Sequence, residues 1–577
     1  MDKHAVALAL EEIGTLLRLQ GDRFRARAFS GAAKAIEKLE ADLATLCADR
    51  RLDRTPGIGP ATARIACELV ETGRARYLDE LRTRTPLALR DLLAVPGLGA
   101  SKVEALHAAL GIQTLDDLEA AARAGRIASL RGFGERMQAR ILEGIGFVRG
   151  ASGRQRYATA LVTATRLLGF LRAQSGVERA ELAGEVRRGL ETVDGVDFVV
   201  AGVHDVCAAI LDAFLDLSSS SRGERTDGTA RAHLGDGLEL RVQCVPAAEF
   251  VTTWTYATGS GAHVEALVRR AGERGLRLSA AGLERSGTRV ALAEEGELYA
   301  ALDLQWVPPE LREDEEAIAL AAAGALPVLV EEHDLRGCFH CHTTYSDGRA
   351  TIVEMAEAAA ARGWHYLGIA DHSQNAGYAG GLIPADIRRQ HAEIDAWNAR
   401  HGARVWLFKG IEADILADGR LDYADEPGVL ERFDFVIGSV HSRFRMSRAE
   451  MTNRILRALD DPRMTMLGHP TGRLLLTRDG YELDLPAVLD RAAARGVAIE
   501  INSDPHRLDL DWREWPATKA RGIRCAINPD AHSTGSLDYV RYGVTMARKA
   551  GLEPSDVINT RPLEEVKRWL SEGRAEA

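Results

Sequence analysis

Residues 331–577 of this 577-residue chain contain seven short apolar runs that alternate with helix-like stretches. The runs cover residues 337–342, 366–372, 405–414, 433–441, 465–469, 497–502 and 524–532. Successive strands joined by helices form a parallel sheet, so seven such runs predict a parallel α/β barrel. Six of the seven runs end on a His, Glu or Asp. Because such barrels carry their active site at the carboxyl ends of the strands, the pattern predicts a functional site there.

The side chains at or near these strand ends are of types that bind metal ions. Nine of them form the candidate ligand set: His340, His342, Asp347, His372, Glu412, His441, His469, Asp530 and His532. His340 and His342 are two residues apart on a strand, so both imidazoles are expected on one face, with Cys341 buried on the other. Imidazole combined with carboxylate suits Zn²⁺ or Mn²⁺. Several such ions close together would activate a water and stabilise the leaving oxygen of a phosphodiester.

This ordered set resembles the PHP (polymerase and histidinol phosphatase) phosphoesterase family. The resemblance implies three divalent ions, Mn²⁺ or Zn²⁺. It assigns the first ion to His340, His342, Glu412 and Asp530, the second to a bridging Glu412 with His441 and His469, and the third to Asp347, His372 and His532. Lys409 and Arg443 are candidate phosphate contacts. The remaining histidines of the region, His391 among them, fit no motif and are predicted to lie on the surface.

Residues 1–150 have a helical pattern, with apolar residues recurring at spacings of three and four. Three turns, at 55–59, 95–99 and 130–134, share a glycine-apolar-glycine pattern that resembles the helix-hairpin-helix motif. In that motif, backbone N–H groups at a helix N-terminus approach a DNA phosphate closely without reading the bases. The candidate DNA contacts are therefore Gly57, Gly59, Gly97, Gly99, Gly132 and Gly134.

Residues 151–320 mix helix and strand, with a helix predicted over 156–173 and strands over 179–182, 197–201 and 238–245. The segment 184–192, Gly-Glu-Val-Arg-Arg-Gly-Leu-Glu-Thr, resembles the Gly-Ser-x-Arg-Arg-Gly-x-Glu-Thr signature of family-X DNA polymerases. Residues 256–260, Tyr-Ala-Thr-Gly-Ser, resemble their Tyr-Phe-Thr-Gly-Ser segment. The resemblance implies an α+β nucleotidyltransferase-like palm and thumb, with nucleotide contacts at Gly184, Arg188, Tyr256 and Gly259.

The catalytic carboxylates implied by that resemblance are incomplete. In register with the two arginines of the signature, the first catalytic Asp falls on Gly195, the second on Asp197 and the third on Glu239. Asp194 is adjacent to the first position, but a shift of one residue on a strand turns the side chain to the other face. Glu185 replaces the Ser that contacts the triphosphate. Templated synthesis, with Mg²⁺ or Mn²⁺ as its metal, is therefore predicted to be strongly reduced or absent.

The charge and cysteine content set the remaining expectations. A net charge of −11 argues against nucleic-acid binding, although residues 1–150, which hold the glycine turns, carry +3. No run of 18 apolar residues occurs, so no membrane association is expected. Seven scattered cysteines are expected to be free thiols of a cytoplasmic protein.

The predicted organisation is a helical DNA-binding region over 1–150, a polymerase-like palm and thumb over 151–320 and a (β/α)7-type PHP barrel over 331–577. The predicted function is that of a monomeric DNA-repair enzyme with metal-dependent 3′–5′ exonuclease or phosphodiesterase activity on gapped or 3′-ended duplex DNA, held mainly through phosphates. Three alternatives stay open: an active bifunctional polymerase and exonuclease that also binds dNTP, a phosphatase acting on a small phosphoester, and a non-catalytic DNA-binding scaffold.

Overall fold

The computed structural model describes residues 3–575 except 38, 40–42, 73, 85–91, 94, 96, 152, 218–222, 227 and 235–237. The chain divides into one unit of residues 1–152 and a second of residues 153–577. None of the described helices has the length and apolar character needed to cross a membrane.

The first unit is helical, as predicted. Its described α-helices are Lys3–Leu19, Arg23–Glu37, Leu43–Ala48, Pro60–Thr72, Arg76–Arg84, Ala100–Leu110, Leu115–Arg123 and Glu135–Ala151. Apolar residues at helical spacing, such as Leu10, Ile13 and Leu17, are buried between the helices. Helix Leu115–Arg123 begins with a capping box, in which Thr114 and Asp117 each accept a hydrogen bond from the backbone of the other.

The prediction that all seven cysteines are free is wrong for one pair. Helices Leu43–Ala48 and Pro60–Thr72 pack together so that Cys47 and Cys67 form a disulfide, with Cα atoms 5.3 Å apart. That distance lies within the range that a disulfide can span. The other five cysteines are free and buried.

The second unit begins with a five-stranded mixed sheet. In spatial order its strands are Arg179–Ala183, Gly195–Ala201, Glu239–Val245, Thr229–His233 and Gly223–Thr226. Helices Tyr157–Arg172 and His204–Leu217 belong to the same region. The two central strands are parallel and in a register that places Gly195 beside Glu239 and Asp197 beside Arg241. This register brings the candidate polymerase carboxylates to one end of the sheet.

A helical region with a small antiparallel sheet follows. Its helices are Phe250–Thr258, Gly261–Glu273, Glu295–Ala301 and Glu316–Ala323, and its strands are Leu276–Ser279, Gly282–Arg285 and Thr288–Val290.

Glu295 is buried between two arginines: its carboxylate accepts hydrogen bonds from Arg312 at 2.6 and 3.0 Å and from Arg187 at 3.0 and 2.6 Å. Burial would raise the pKa of Glu295, but these guanidinium groups lower it to about 2.

Changing Glu295 to Gln is expected to destabilise the second unit by about 3–5 kcal/mol, because two buried guanidinium groups would lose their counter-charge. Since the pKa of Glu295 is lowered, its contribution is present above the unfolded pKa near 4.5 and is lost as the pH falls toward 2. Thermal unfolding followed by circular dichroism at pH 7 and pH 3 measures both effects. Glu294→Gln, at the exposed neighbouring position, is the matched control; equal melting temperatures for the two variants would contradict the argument.

The barrel confirms the predicted parallel alternation. Its strands pair in chain order: Gly337–Cys338, Tyr366–Ile369, Trp406–Asp414, Phe435–Ser439, Met466–Leu467, Ala498–Asn502 and Cys525–Asn528. The main helices between and after them are Ile352–Ala361, Pro384–His401, Arg448–Leu459, Leu485–Arg495, Trp515–Lys519, Val540–Lys549 and Leu563–Ala575. The first and last strands nearly close the barrel, because His342 N donates to Ala531 O at 2.8 Å and Ala531 N donates to His340 O at 3.1 Å.

Aromatic side chains fill the barrel interior. The ring of Phe339 lies 5.5 Å from that of Phe435 and 6.2 Å from that of Phe408. Gly410 leaves the space for this packing, since a Cβ atom there would lie 2.0 Å from the Phe435 ring. Phe435 is the first residue of its strand, whereas the metal-binding residue types lie near or beyond the carboxyl ends of the strands. The strand order thus separates an apolar filling from a polar open end.

The polymerase-like part of the second unit is tied to the barrel by charged groups. Arg513 donates to Glu191 Oε1 at 2.7 Å, and Trp512 Nε1 donates to Glu191 Oε2 at 3.0 Å. The buried ammonium of Lys549 pairs with Glu313, which also pairs with Arg188 at 2.9 Å. These contacts explain why two regions with separate sheets form one unit.

Candidate metal centre

All nine proposed metal ligands come together at the carboxyl end of the barrel, with Glu412 near the centre. Imidazole nitrogens of His340, His342, His372, His441 and His469 lie 3.3, 3.8, 2.8, 3.2 and 3.0 Å from its carboxylate oxygens. Asp530 Oδ1 lies 3.1 Å from His342 Nε2, and Asp347 Oδ1 lies 3.3 Å from His532 Nε2. The parallel strands bring the nine residues together, because Glu412 lies near the carboxyl end of strand Trp406–Asp414 and the other eight lie on the segments that follow the strand ends.

The charges of the cluster compensate one another. Burial would raise the pKa of Glu412, but His441, His340 and His372 hold it well below its usual range. Burial would lower the pKa of His340, but Glu500, Asp530 and Glu412 raise it well above its usual range. His342 differs, since burial and the adjacent His532 and His372 lower its pKa to about 3. Metal ligands must be deprotonated, so a bound cation would replace the proton that His340 shares with the carboxylates, whereas His342 is already neutral.

Several features fit bound cations. His340 Nε2, His342 Nδ1 and Glu412 Oε2 are buried and have no hydrogen-bond partner among the described residues. His469 and Asp530 have positive φ angles of 25° and 51°, a strained backbone that is concentrated at functional sites. Ligand atoms also fall into three overlapping groups within 4.8 Å: His342, Asp347, His372 and His532; His340, His342 and Glu412; and His372, Glu412 and His441. The groups share His342, His372 and Glu412, whereas the sequence-based assignment shared only Glu412.

Two buried carboxylates orient the ligands, and the sequence interpretation gave neither of them this role. His340 Nδ1 lies 2.7 Å from Glu500 Oε1, and His441 Nδ1 lies 2.7 Å from Asp414 Oδ1. Carboxylates in this position fix the ring and leave the other nitrogen for the metal. An acidic residue inside an apolar strand, as in the run Ala498–Asn502, was the available signal.

A third buried carboxylate holds the loop that carries Asp347. Asp371 accepts hydrogen bonds from Thr343 N at 2.7 Å, Ser346 Oγ at 2.5 Å and Gln390 Nε2 at 2.6 Å. Because these partners are N–H and O–H donors, the carboxylate is fully engaged within the protein. It positions the loop rather than joining the ligand cluster.

One cation beside the cluster, Arg507, was missed by the sequence interpretation. Arg507 Nε lies 3.6 Å from Asp530 Oδ2. Of the two predicted phosphate contacts, Lys409 pairs with Asp395 at 2.6 Å on helix Pro384–His401, and Arg443 is exposed on the loop after His441. Lys409 is therefore engaged away from the cluster, because its side chain points from the strand toward the helix layer.

The prediction that His391 lies on the surface is wrong. It is on the inner face of helix Pro384–His401, and its ring packs 4.9 Å from that of Phe433. Burial lowers its pKa to about 4. It is a neutral core histidine.

At the polymerase-like site, three carboxylates surround one guanidinium. Arg241 lies 2.7 Å from Asp194 Oδ1, 2.7 Å from Asp197 Oδ1 and 3.2 Å from Glu239 Oε2. The expectation that Asp194 points away is wrong, because it precedes the strand Gly195–Ala201 and is free of the strand's alternation. Burial raises the pKa of Asp197 in spite of the guanidinium. The position between the carboxylates is filled by a protein cation.

The proposed nucleotide contacts have partners within the protein. Gly184 has φ +61°, and a Cβ atom there would lie 2.0 Å from Asp197 Oδ2, so only glycine fits against this carboxylate. Arg188 Nη1 donates to Thr258 O at 2.7 Å, and Tyr256 Oη donates to Leu278 O at 3.1 Å. Gly259 N closes the helix before it by donating to Thr255 O. Glu185 accepts from Asp194 N at 2.9 Å and from Arg154 at 3.1 Å.

The three glycine turns of the first unit have the same geometry. The first glycines, Gly57, Gly97 and Gly132, have φ angles of 89°, 88° and 90°. In each turn the N–H of the apolar residue donates to the carbonyl three residues earlier, at 2.9–3.0 Å. The second glycines, Gly59, Gly99 and Gly134, each directly precede a helix, starting at Pro60, Ala100 and Glu135. Three equivalent helix N-termini with glycine approaches support the DNA-binding interpretation.

A parallel barrel with clustered imidazoles and carboxylates at its open end, joined to a polymerase-like sheet, is the architecture of a divalent-metal enzyme that processes nucleic acid. Known families match its parts. Family models match as follows: a helix-hairpin-helix domain over residues 1–75, a SAM-like helix-hairpin-helix tandem over 89–146, the DNA polymerase beta thumb over 253–313 and the PHP domain over 339–504.

One relative aligns with the whole chain. The protein named DNA polymerase/3′-5′ exonuclease PolX of Bacillus subtilis (strain 168) is 34% identical over 576 residues, which is 99% of each chain. The chain therefore belongs to the bacterial family-X DNA polymerases that carry a C-terminal PHP domain. Shorter relatives match 38–40% of the chain: probable phosphatases of Syntrophotalea carbinolica, 29% identical with 90% of that protein covered, and of Thermoanaerobacter sp. (strain X514), 27% identical with 93% covered.

Proposed function

We propose that this chain is a DNA-repair nuclease that removes nucleotides from 3′ ends at the barrel metal centre. The observation that carries the proposal is the Glu412 carboxylate within 3.8 Å of five imidazoles, with Asp347 and Asp530 beside them. A site of this composition is suited to two or three ions of Mn²⁺ or Zn²⁺. The whole-chain relative named DNA polymerase/3′-5′ exonuclease PolX and the glycine turns support DNA as the substrate.

The protein's own residues prepare the site in three ways. The nine ligands would hold the ions, which when bound supply a polarised water and stabilise the leaving oxygen. Glu500 and Asp414 fix the rings of His340 and His441. Arg507 adds a positive charge at the edge of the cluster, where it would draw a phosphodiester toward the ligands.

The polymerase-like region is proposed to hold DNA while synthesis is weak or lost. Gly195 supplies no carboxylate, Glu239 is longer than the expected Asp, and Arg241 fills the space between the acids. Two metals cannot bind there unless this guanidinium moves. Primer extension separates this proposal from an active bifunctional enzyme.

The glycine turns are proposed to bind phosphates, and replacing Gly97 and Gly132 together by Ala is expected to weaken DNA binding on the order of tenfold. Both glycines have φ near +90°, which strains a side-chain-bearing residue by roughly 1–3 kcal/mol each. Fluorescence anisotropy with a gapped duplex measures the affinity, and the salt dependence is expected to become shallower as phosphate contacts are lost. Gly146→Ala, in open space on a helix, is the control. Unchanged affinity of the double variant would remove the turns from the interface.

The proposed function is tested with one metal-loaded preparation. A gapped duplex with a labelled 3′ end is incubated with Mn²⁺, Zn²⁺ or Mg²⁺, with and without dNTPs. Stepwise loss of 3′ nucleotides is expected with Mn²⁺ or Zn²⁺, and extension is expected to be weak or absent. No digestion with any of the three metals would overturn the proposal.

The second candidate is a phosphatase acting on a small phosphoester, because proteins named probable phosphatases match 38–40% of the chain. Hydrolysis of p-nitrophenyl phosphate, a monoester, is compared with that of an oligonucleotide. Fast release of nitrophenol without DNA digestion would favour this candidate.

A further inference from the structure

One exposed aromatic side chain lies at the edge of the metal centre. Tyr378 is 74% exposed, the highest exposure of any aromatic residue described in residues 153–577. Its ring centroid is nevertheless 6.3 Å from that of His372, one of the proposed ligands. A large ring is thus presented to solvent beside the proposed reaction site.

The loop that carries this ring is fixed rather than loosely attached. Gln374 N donates to Tyr423 Oη at 2.8 Å and Asn375 N donates to Asp422 Oδ2 at 2.7 Å. The amide of Asn375 also donates to Asp414, the carboxylate that orients His441. One acidic side chain therefore anchors both a metal ligand and the loop that displays Tyr378.

Exposure of the Tyr378 ring to water is unfavourable, and contact with a ligand would bury the ring. An aromatic ring exposed to water forgoes the favourable transfer of its apolar surface. An aromatic ring held beside a site for a nucleic acid matches the way in which proteins stack aromatic rings on unpaired bases.

Resting on the proposed function, we propose that Tyr378 is a stacking platform for the nucleobase at the 3′ end of the substrate strand. The ligand is therefore the 3′-terminal nucleoside of a DNA strand that still carries its base. The ring would hold the terminal base so that the phosphodiester on its 5′ side lies over the ligand cluster. The centre would accordingly prefer ends that carry a base over ends that have lost it.

The test uses the Mn²⁺-loaded full chain and three substrates: an oligonucleotide ending in thymidine, the same oligonucleotide ending in a tetrahydrofuran abasic residue, and bis(p-nitrophenyl) phosphate. Tyr378→Ala is expected to lower kcat/KM roughly 5- to 150-fold on the thymidine end, the range found when base-stacking aromatics are removed. The loss is expected mainly in KM, with little change on the abasic-ended oligonucleotide, whose terminal residue has no ring to stack. Tyr378→Phe keeps the ring and is expected to behave like the unaltered protein.

The controls separate the possible failures. Val353→Ala removes another exposed apolar side chain, on a barrel helix, and is expected to change none of the three activities. Equal losses on all three substrates, no loss on any, or a Phe variant as impaired as the Ala variant would overturn the stacking subsite. Failure of the unaltered protein to hydrolyse any of them would overturn the proposed function itself, and the subsite with it.

Discussion

Replacing His342 and Asp347 together by Ala is expected to abolish Mn²⁺-dependent digestion of DNA 3′ ends, with a rate loss of at least roughly 10³-fold. His342 belongs to two of the three ligand groups, and Asp347 reaches His372 and His532 within 3.6 Å. Removing both leaves two of the three groups incomplete. The number of bound ions, measured by mass spectrometry of the purified protein, is expected to fall as well.

The double variant is expected to stay folded, because both side chains lie at the open end of the barrel, away from the aromatic packing of its interior. Thermal unfolding and DNA affinity check this, since the glycine turns are in the other unit. The control variants are His333→Ala and His401→Ala, which remove exposed histidines outside the cluster and are expected to digest DNA at the unaltered rate. Digestion by the double variant at the unaltered rate would show that the assigned centre is not the nuclease.

The ligand cluster could be predicted from the sequence because its geometry follows from topology. In a parallel barrel every strand ends at the same face, so His340, His372 and Glu412 converge without any knowledge of distances. The ligands could be identified from the residues at the ends of the predicted strands, and the order of the strands follows from their order along the chain. Topology does not predict the role of a residue when that role depends on a contact between particular side chains.

Glu500 and Arg507 illustrate what the sequence did not reveal. Glu500 lies within an apolar strand, and only the register beside its neighbouring strands shows that its carboxylate meets His340. Arg507 is on a loop, and its distance from Asp530 depends on the loop's path. The disulfide Cys47–Cys67 was missed for the same reason, since two cysteines 20 residues apart in sequence meet only because their helices pack side by side.

The polymerase-like site shows that a broken motif can still form an ordered cluster. Asp194, Asp197 and Glu239 converge as a working site would require, although one expected Asp is a glycine. The cluster is neutralised by Arg241 from the neighbouring strand. Restoring the missing Asp is obstructed, because a Cβ atom at Gly195 would lie 2.8 Å from the backbone oxygen of Glu239. The backbone of the neighbouring strand occupies the space that the Asp side chain would need.

Primer extension by the unaltered protein, with Mn²⁺ and dNTPs on a gapped duplex, is expected to be at least roughly 10²-fold slower than by the Bacillus subtilis relative assayed in parallel. The combined variant Gly195→Asp, Glu239→Asp is expected to extend primers no faster than the unaltered protein, since the backbone contact prevents the new carboxylate from reaching the metal position. Asp194→Ala provides the decisive comparison. Robust extension by the unaltered protein that disappears in Asp194→Ala would show that Asp194 replaces the lost Asp and that the enzyme is bifunctional. Equal, weak extension in both proteins is expected instead, because Asp194 is held by Arg241 and a metal would have to displace that pairing before any nucleotide could be added.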